Sequence, residues 1–279
     1  LAIIRQVPDP HPIDRARLTE RAPAAPPVHR YAPSAELRDV VRHYWVPVWD
    51  LGAGVTLTEK VLQYPTCLVV VSDSYARFYG VARGLSTVEL SESGWAVGVM
   101  LQPGAGRAAA GRAVDHLVDT YADLADFPRL ADLVPRVREV MSPAPHDELA
   151  HAAAIHEVET RLEPSVGPDG ALLNAVVAAV ESDRDLLTVA QLAKRVGLGE
   201  RALQRLTVGQ LGLTPKWLIQ RRRLHDAADH LKHGRGTLAE VAVELGYTDQ
   251  AHFTRDFRTV TGYTPGEFAR VLGRDARRP

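Results

Sequence analysis

Hydrophobic positions between residues 31 and 101 fall in short runs punctuated by polar turns. The runs at 44–49, 56–62, 66–71, 75–81 and 95–101 are β-branched or aromatic. Such short runs bounded by turns predict strands, with turns at Ser72, Asp73, Ser74 and at Glu92, Ser93, Gly94. Pro47 predicts an edge position or a bulge for its strand. Short strands at this spacing predict a small antiparallel barrel or sandwich. From 107 to about 162 the period becomes helical, cut by Pro128, Pro135, Pro143 and Pro145. Residues 164–170, with Pro164, Gly167, Pro168 and Gly170, read as a linker, and helix and turn follow to 272. Residues 1–30 hold Pro8, Pro10, Pro12, Pro23, Pro26 and Pro27 and predict an extended arm, while 273–279 form a short basic tail.

Within the last third one pattern occurs twice. Thr188, Gln191, Ala193, Gly197 and Leu198 recur as Thr237, Glu240, Ala242, Gly246 and Tyr247. Thr followed three residues later by Gln or Glu predicts a capping box. The small Ala permits a close helix crossing, and Gly supplies a turn with positive φ. Each copy leads into a second helix, 199–210 or 249–260, so each predicts a helix-turn-helix unit. Leu203 and Leu206, and Phe253 and Phe257, fall on the inward faces. Arg201, Gln204 and Arg205 share the opposite face of the first helix, and Gln250, Ala251, Thr254 and Arg255 that of the second. A helix fits the major groove, where Arg pairs with guanine and Gln with adenine through two hydrogen bonds. A helix of this kind also reads as an amphipathic element with a solvated face; two matched copies favour groove reading. A long helix expected over 215–232 would separate them by roughly 27 Å, close to the ~34 Å of one DNA turn.

Composition sharpens this picture. Hydrophobic residues make up 46% of the 279, enough for real cores, and no long apolar run predicts a membrane span. No signal-peptide pattern opens the chain, which starts at Leu1 without an initiator Met, and the cytoplasm is the expected location. The net charge of −1 conceals an asymmetry: residues 182–279 carry 17 Lys and Arg against 11 Asp and Glu. A basic C-terminal part on an acidic remainder fits a nucleic-acid module joined to another domain. Cys67 is the only cysteine, excludes a disulfide, and reads as inert core. His43 is isolated among the strands, and His151 and His156 read as surface residues on different helix faces. No catalytic residue, metal site or cofactor is expected. Tyr44, Trp45, Trp49, Tyr64, Phe78, Tyr79 and Trp95 form either an aromatic pocket or, more commonly for strand aromatics, core.

The run from Ala239 through Gly246, Tyr247, Gln250, His252, Phe253, Thr254, Arg255 and Phe257 to Gly262 and Pro265 resembles the DNA-binding domain of AraC/XylS-type transcription regulators. Leu192, Ala193, Val196, Gly197, Leu198, Leu203, Gln204, Arg205, Gly212 and Pro215 extend that likeness to the first copy. The resemblance implies base-reading roles for Arg201, Gln204, Arg205, Gln250, Thr254 and Arg255. It also implies a structural ion pair at Arg223; Lys216 and Arg222 are candidates for phosphate or a solvated face. The first copy departs from the family at Thr207, where Phe is usual, and at Val208 and Gly209, where basic residues are usual, which predicts a first recognition helix that is shorter, less firmly anchored or weaker in phosphate contact. Ahead of it, residues 38–49 and the Gly98, Val99, Pro103, Gly104, Ala105 signature, altered at Met100 and Leu101, resemble a β-rich, cupin-like sensor domain found with such heads.

Together these readings predict an α+β chain: an arm (1–30), a β-barrel or sandwich sensor or dimerisation domain with a helical extension (31–165), and an all-α domain with two helix-turn-helix motifs joined by a long helix (170–272). The expected function is sequence-specific binding of double-stranded DNA in transcription regulation, controlled by a small-molecule effector or by homodimerisation, with RNA polymerase as a further partner and no membrane. The competing readings are a cupin-like enzyme on a degenerate helical domain, a repair protein with a methyl-accepting cysteine, and a constitutive DNA binder whose N-terminal half only dimerises.

Overall fold

In a computed structural model, residues 27–62, 64–234 and 236–272 are described, with side chains to 270. Among the described residues there are eight strands, β1 (Val28–Tyr31), β2 (Val41–Asp50), β3 (Thr56–Leu62), β4 (Leu68–Ser72), β5 (Ala76–Tyr79), β6 (Leu85–Ser91), β7 (Ser93–Leu101) and, after the first α-helix, β8 (Tyr121–Asp123). Six of them form an antiparallel sheet in the order β1-β2-β7-β4-β5-β8, and β3 pairs with β6 as a separate ribbon. Helices α1 (Gly106–Ala110), α2 (Leu133–Met141) and α3 (Glu148–Glu159) follow. The C-terminal part is helical: α4 (Gly167–Ser182), α5 (Val189–Arg195), α6 (Glu200–Leu211), α7 (Pro215–Lys232), α8 (Leu238–Glu244), α9 (Gln250–Thr261) and α10 (Pro265–Leu272). The expected α+β organisation is therefore present: a β-rich N-terminal part and a helical C-terminal part.

Several local expectations need correction. Residues 28–30, assigned to the arm, begin β1 because Val28–Tyr31 pairs with β2; the rest of the arm to residue 26 and the basic tail lie outside the described residues. β2 is an inner strand, and Pro47 stands at the end of its ladder with β1, opposite Val28, where its missing N–H costs little. β6 and β8 were not foreseen: β6 has seven residues with a mostly polar, exposed pattern, and β8, with three, lies inside a stretch of helical composition. The predicted linker instead enters α4 at Gly167, with Pro168 in its first turn. Gly104 and Gly170 then meet backbone to backbone, so a Cβ on Gly104 would overlap the Gly170 carbonyl. His151, read as a surface residue, is fully buried. Its Nδ1 lies 2.7 Å from Tyr31 Oη and its Nε2 2.7 Å from the Pro145 carbonyl, so β1 and the loop before α3 close over it.

The apolar residues form two cores. The first is continuous from the sheet (Val41, Val69, Val97, Val99) through Leu173 and Val177 of α4 to Leu192, Leu203, Leu211 and Leu218. The second gathers Leu224, Leu231, Val241, Phe253, Phe257 and Phe268, and takes one buried side chain from β3, Leu62. The first helix-turn-helix unit is thus packed into the same core as the sheet, and the second touches the β-rich part through the ribbon. Polar ties cross the same junction. Gly104 N–H donates to Asn174 Oδ1 (2.8 Å), and Arg42 makes a two-pronged pair with Glu181 (2.9 and 2.8 Å).

Candidate nucleic-acid interface

Both helix-turn-helix units are built by the same local devices. Thr188 Oγ1 accepts from Gln191 N–H (3.2 Å) while Gln191 Oε1 accepts from Thr188 N–H (2.9 Å). Thr237 and Glu240 repeat the exchange at 3.3 and 2.7 Å, and the bonds to Thr237 hold the Glu240 carboxyl below its ordinary range. Gly197 (φ 69°) and Gly246 (φ 72°) make the turns. Leu198 N–H and Tyr247 N–H then reach back to the carbonyls of Ala193 and Ala242, each at 2.9 Å, which closes α5 and α8 in the manner of a Schellman cap. Thr188→Ala or Thr237→Ala is expected to cost about 1 kcal/mol, within roughly 0.5–2. Urea unfolding followed by circular dichroism would measure it; no loss at either site would show that the boxes contribute nothing net.

The recognition helices follow directly. α6 and α9 have 12 residues each, so the first is not shortened by Thr207, contrary to expectation. Thr207 is fully buried and its hydroxyl donates to the Gln204 carbonyl at 3.3 Å, while Leu203 and Leu211 anchor the same face. On the outer face Arg201, Gln204 and Arg205 are exposed. In α9, Gln250 and Arg255 are exposed and Thr254 is half-buried, above fully buried Phe253 and Phe257. The two sets stand at matching places on their helices, and no described partner covers them. α7 spans 18 residues between the heads, roughly 27 Å of helix at ~1.5 Å per residue. Asp249 caps α9, its Oδ1 accepting from His252 N–H at 2.7 Å.

The three consecutive arginines of α7 separate as the helix period demands. Arg222, a phosphate candidate, is 8% exposed and points inward: Nη1 pairs with Asp226 Oδ2 (3.1 Å) and Nη2 donates to the Leu186 carbonyl (2.9 Å). That location removes it from any phosphate role. Arg223, expected in an ion pair, lies instead with its guanidinium 4.0 Å from the centre of the Tyr247 ring. Its partner is therefore a π face rather than a carboxylate. Arg221 is buried at the junction, where it donates to the Gly84 carbonyl at 3.4 Å. Lys216 is exposed and stays available to phosphate. Lys194 and Arg195, exposed in the last turn of α5, and Arg258 of α9 are further cations that the sequence reading passed over, since single basic residues carry no periodic signal.

The β-rich part holds a cavity of about 590 Å³ between the sheet and the ribbon, within the ~300–1,000 Å³ range of ligand pockets. Trp45, Trp49 and Tyr79 line it, whereas Tyr44, Phe78 and Trp95 are core. Tyr64 leaves the sheet altogether and packs against His225 of α7, with ring centres 4.6 Å apart. Cys67 is buried among apolar neighbours, which pushes its thiol up to about 12, out of the nucleophilic range. Among the described residues no group of three metal-ligating side chains occurs.

Comparison with known proteins follows these two parts. Residues 192–270 match a family described as a helix-turn-helix domain, and residues 29–123 match a domain of unknown function, DUF6597. The HTH-type transcriptional activator RhaS of Escherichia fergusonii is 33% identical over 107 residues, 38% of this chain and 38% of that protein. RhaS of Escherichia coli strain SE11 is 28% identical over 118 residues, 42% of each. The chain thus matches about two-fifths of the length of these relatives. Among solved structures, a probable AraC family transcriptional regulator from Rhodopseudomonas palustris CGA009 shares 24% identity over 38% of this chain and 98% of that one, with a TM-score of 0.33. ToxT from Vibrio cholerae O395 shares 13% over 82% and 98%, with a TM-score of 0.41.

Proposed function

We propose that this chain, whose C-terminal region is a helix-turn-helix domain of the AraC/XylS type, is a sequence-specific DNA-binding transcription regulator. The observation that carries the reading is the pairing of two equally capped units that turn Arg201, Gln204, Arg205 and Gln250, Thr254, Arg255 outward on recognition helices of equal length. We assign base contacts to these six side chains and phosphate contact to Lys216. The boundaries 31–165 and 170–272 serve as working limits of the sensor and reading domains. Control comes from a small-molecule effector in the β-rich part or from homodimerisation through it, RNA polymerase is the partner met at the promoter, and the cytoplasm is the place of action. No described helix is long and apolar enough to cross a membrane. Neither an enzymatic activity nor a cofactor forms part of this reading.

Selection from a random duplex library by the full chain, at fixed salt, tests it. Two half-sites about 10–10.5 base pairs apart are the expected product; recovery of unenriched sequence would sink the reading. On the selected site Arg255→Ala should cost about 1–3 kcal/mol and relax one base position. Lys216→Ala should weaken all sequences alike and lower the salt slope by about one. An equal loss for Arg255→Ala on selected and random duplex would move Arg255 to the phosphate class.

A further inference from the structure

The cavity between sheet and ribbon has a built chemistry. Gly94 and Gly98 of β7 sit directly opposite Trp49 and Trp45 of β2. A Cβ at either glycine would overlap the indole facing it, so both rings lie flat across the sheet. Two indole faces are thereby presented to the cavity, with Leu68, Val70 and Met100 beside them.

At another part of the wall stands Arg77 of β5, wrapped by tyrosines. Its guanidinium lies 4.0 Å from the centre of the Tyr121 ring and 4.7 Å from that of Tyr75, and Nη1 donates to Tyr79 Oη at 3.4 Å. The nearby carboxylates are engaged elsewhere. Asp123, opposite Arg77 in the sheet, accepts from Ala125 N–H at 2.9 Å, and Asp119 is held by Arg83 at 2.6 Å. Arg77 thus meets π faces and a phenol but no described carboxylate, which suits an incoming anion. Arg30 and His43 line the same space, with Glu59 the acidic group on the ribbon side.

The ribbon has two faces with different tasks. The pleat sends alternate side chains of β3 to opposite sides. Glu59 and Val61 line the cavity. Lys60 donates to Tyr263 Oη at 2.8 Å, and Leu62 is buried in the second core with Leu224 and Ala228. Val61, and Leu85 at the start of β6, do both, lining the cavity and packing against the second core. A molecule behind the ribbon therefore presses on the element that holds the second reading head.

We propose that this cavity binds a planar aromatic carboxylate, its rings on Trp45 and Trp49 and its carboxylate on Arg77, and that the β3–β6 ribbon passes occupancy to α8 and α9. The inference rests on the effector-controlled reading above and names the effector's class. Calorimetry of the full chain with fluorene-2-carboxylate and with the neutral fluorene-2-methanol tests the first half. Saturable binding is expected, at least tenfold tighter for the acid. Arg77→Gln should bring the acid down to the level of the alcohol, with circular dichroism like that of the unaltered chain showing that the variant is folded; Arg77→Lys should restore part of the preference. Equal binding of acid and alcohol, a preference that survives Arg77→Gln, or no saturable binding overturns the site. For the second half, saturating acid should change amide hydrogen exchange in α8 and α9, and Lys60→Met should diminish that change while keeping acid affinity. Identical exchange with and without acid overturns the coupling. A chain that binds the acid but selects no DNA would sink the regulator reading alone; a chain that selects DNA but ignores the acid would sink this proposal alone.

Discussion

Phe257→Ala should destabilise the second reading head by about 3–5 kcal/mol, the range for truncating a buried aromatic. Phe257 is fully buried in α9, with ring centres 5.6 Å from Phe253 and 5.1 Å from Phe268, both in edge-on packing. Those aromatic pairs add roughly 0.5–1.5 kcal/mol each beyond area burial. The second core is small and touches the β-rich part through the ribbon, so little else can absorb the cavity. The corresponding place in the first head is Thr207, also buried, but that head shares its core with the sheet. Amide exchange in Phe257→Ala should therefore rise in α8, α9 and α10 while α5 and α6 stay protected. Urea unfolding would report the loss, and selective binding of the two-part DNA site should fall to that of a single head. A loss under about 1 kcal/mol, or exchange rising equally in both heads, would contradict the assignment of two separately built cores.

What the sequence made legible was local chemistry. Thr188 with Gln191 and Thr237 with Glu240 announce helix starts because a cap needs only four consecutive residues. Gly197 and Gly246 announce turns because φ near +70° discourages other residues. The 18 residues of α7 stand between a proline that starts a helix and a glycine beyond its end. The outward placing of the six side chains proposed to read bases follows from those boundaries and the helical period. Partners brought from far along the chain were hidden. His151 looks like a surface histidine until Tyr31, 120 positions earlier, closes on it. β8 is a strand because β5 offers it an edge, not because three residues prefer that conformation. The role of Arg77 depends on tyrosines from two segments, and the ribbon's two faces emerge only once α7 and α9 lie against one of them.

Arg222 marks the same limit within a single helix, where three successive arginines left open which one met solvent. Its pair with Asp226 is nearly dry, at 8% and 9% exposure, and its second arm donates to the Leu186 carbonyl, two residues before the cap of α5. The pair therefore ties the connecting helix to the entrance of the first head. Asp226→Ala would leave a buried guanidinium with a lone carbonyl acceptor and is expected to cost about 3–5 kcal/mol. Arg184, 3.9 Å from Asp226 Oδ1, is more than half exposed and loses little. The double variant Arg222→Met, Asp226→Leu should recover most of the stability, because apolar groups of similar volume replace a buried pair at little or no cost. Urea unfolding of the single and double variants measures the coupling. The double variant also separates the structural role from a phosphate contact. Each phosphate partner lost lowers the salt slope of DNA binding by about 0.9, so an unchanged slope on random duplex is expected, and a drop of that size would return Arg222 to the DNA surface.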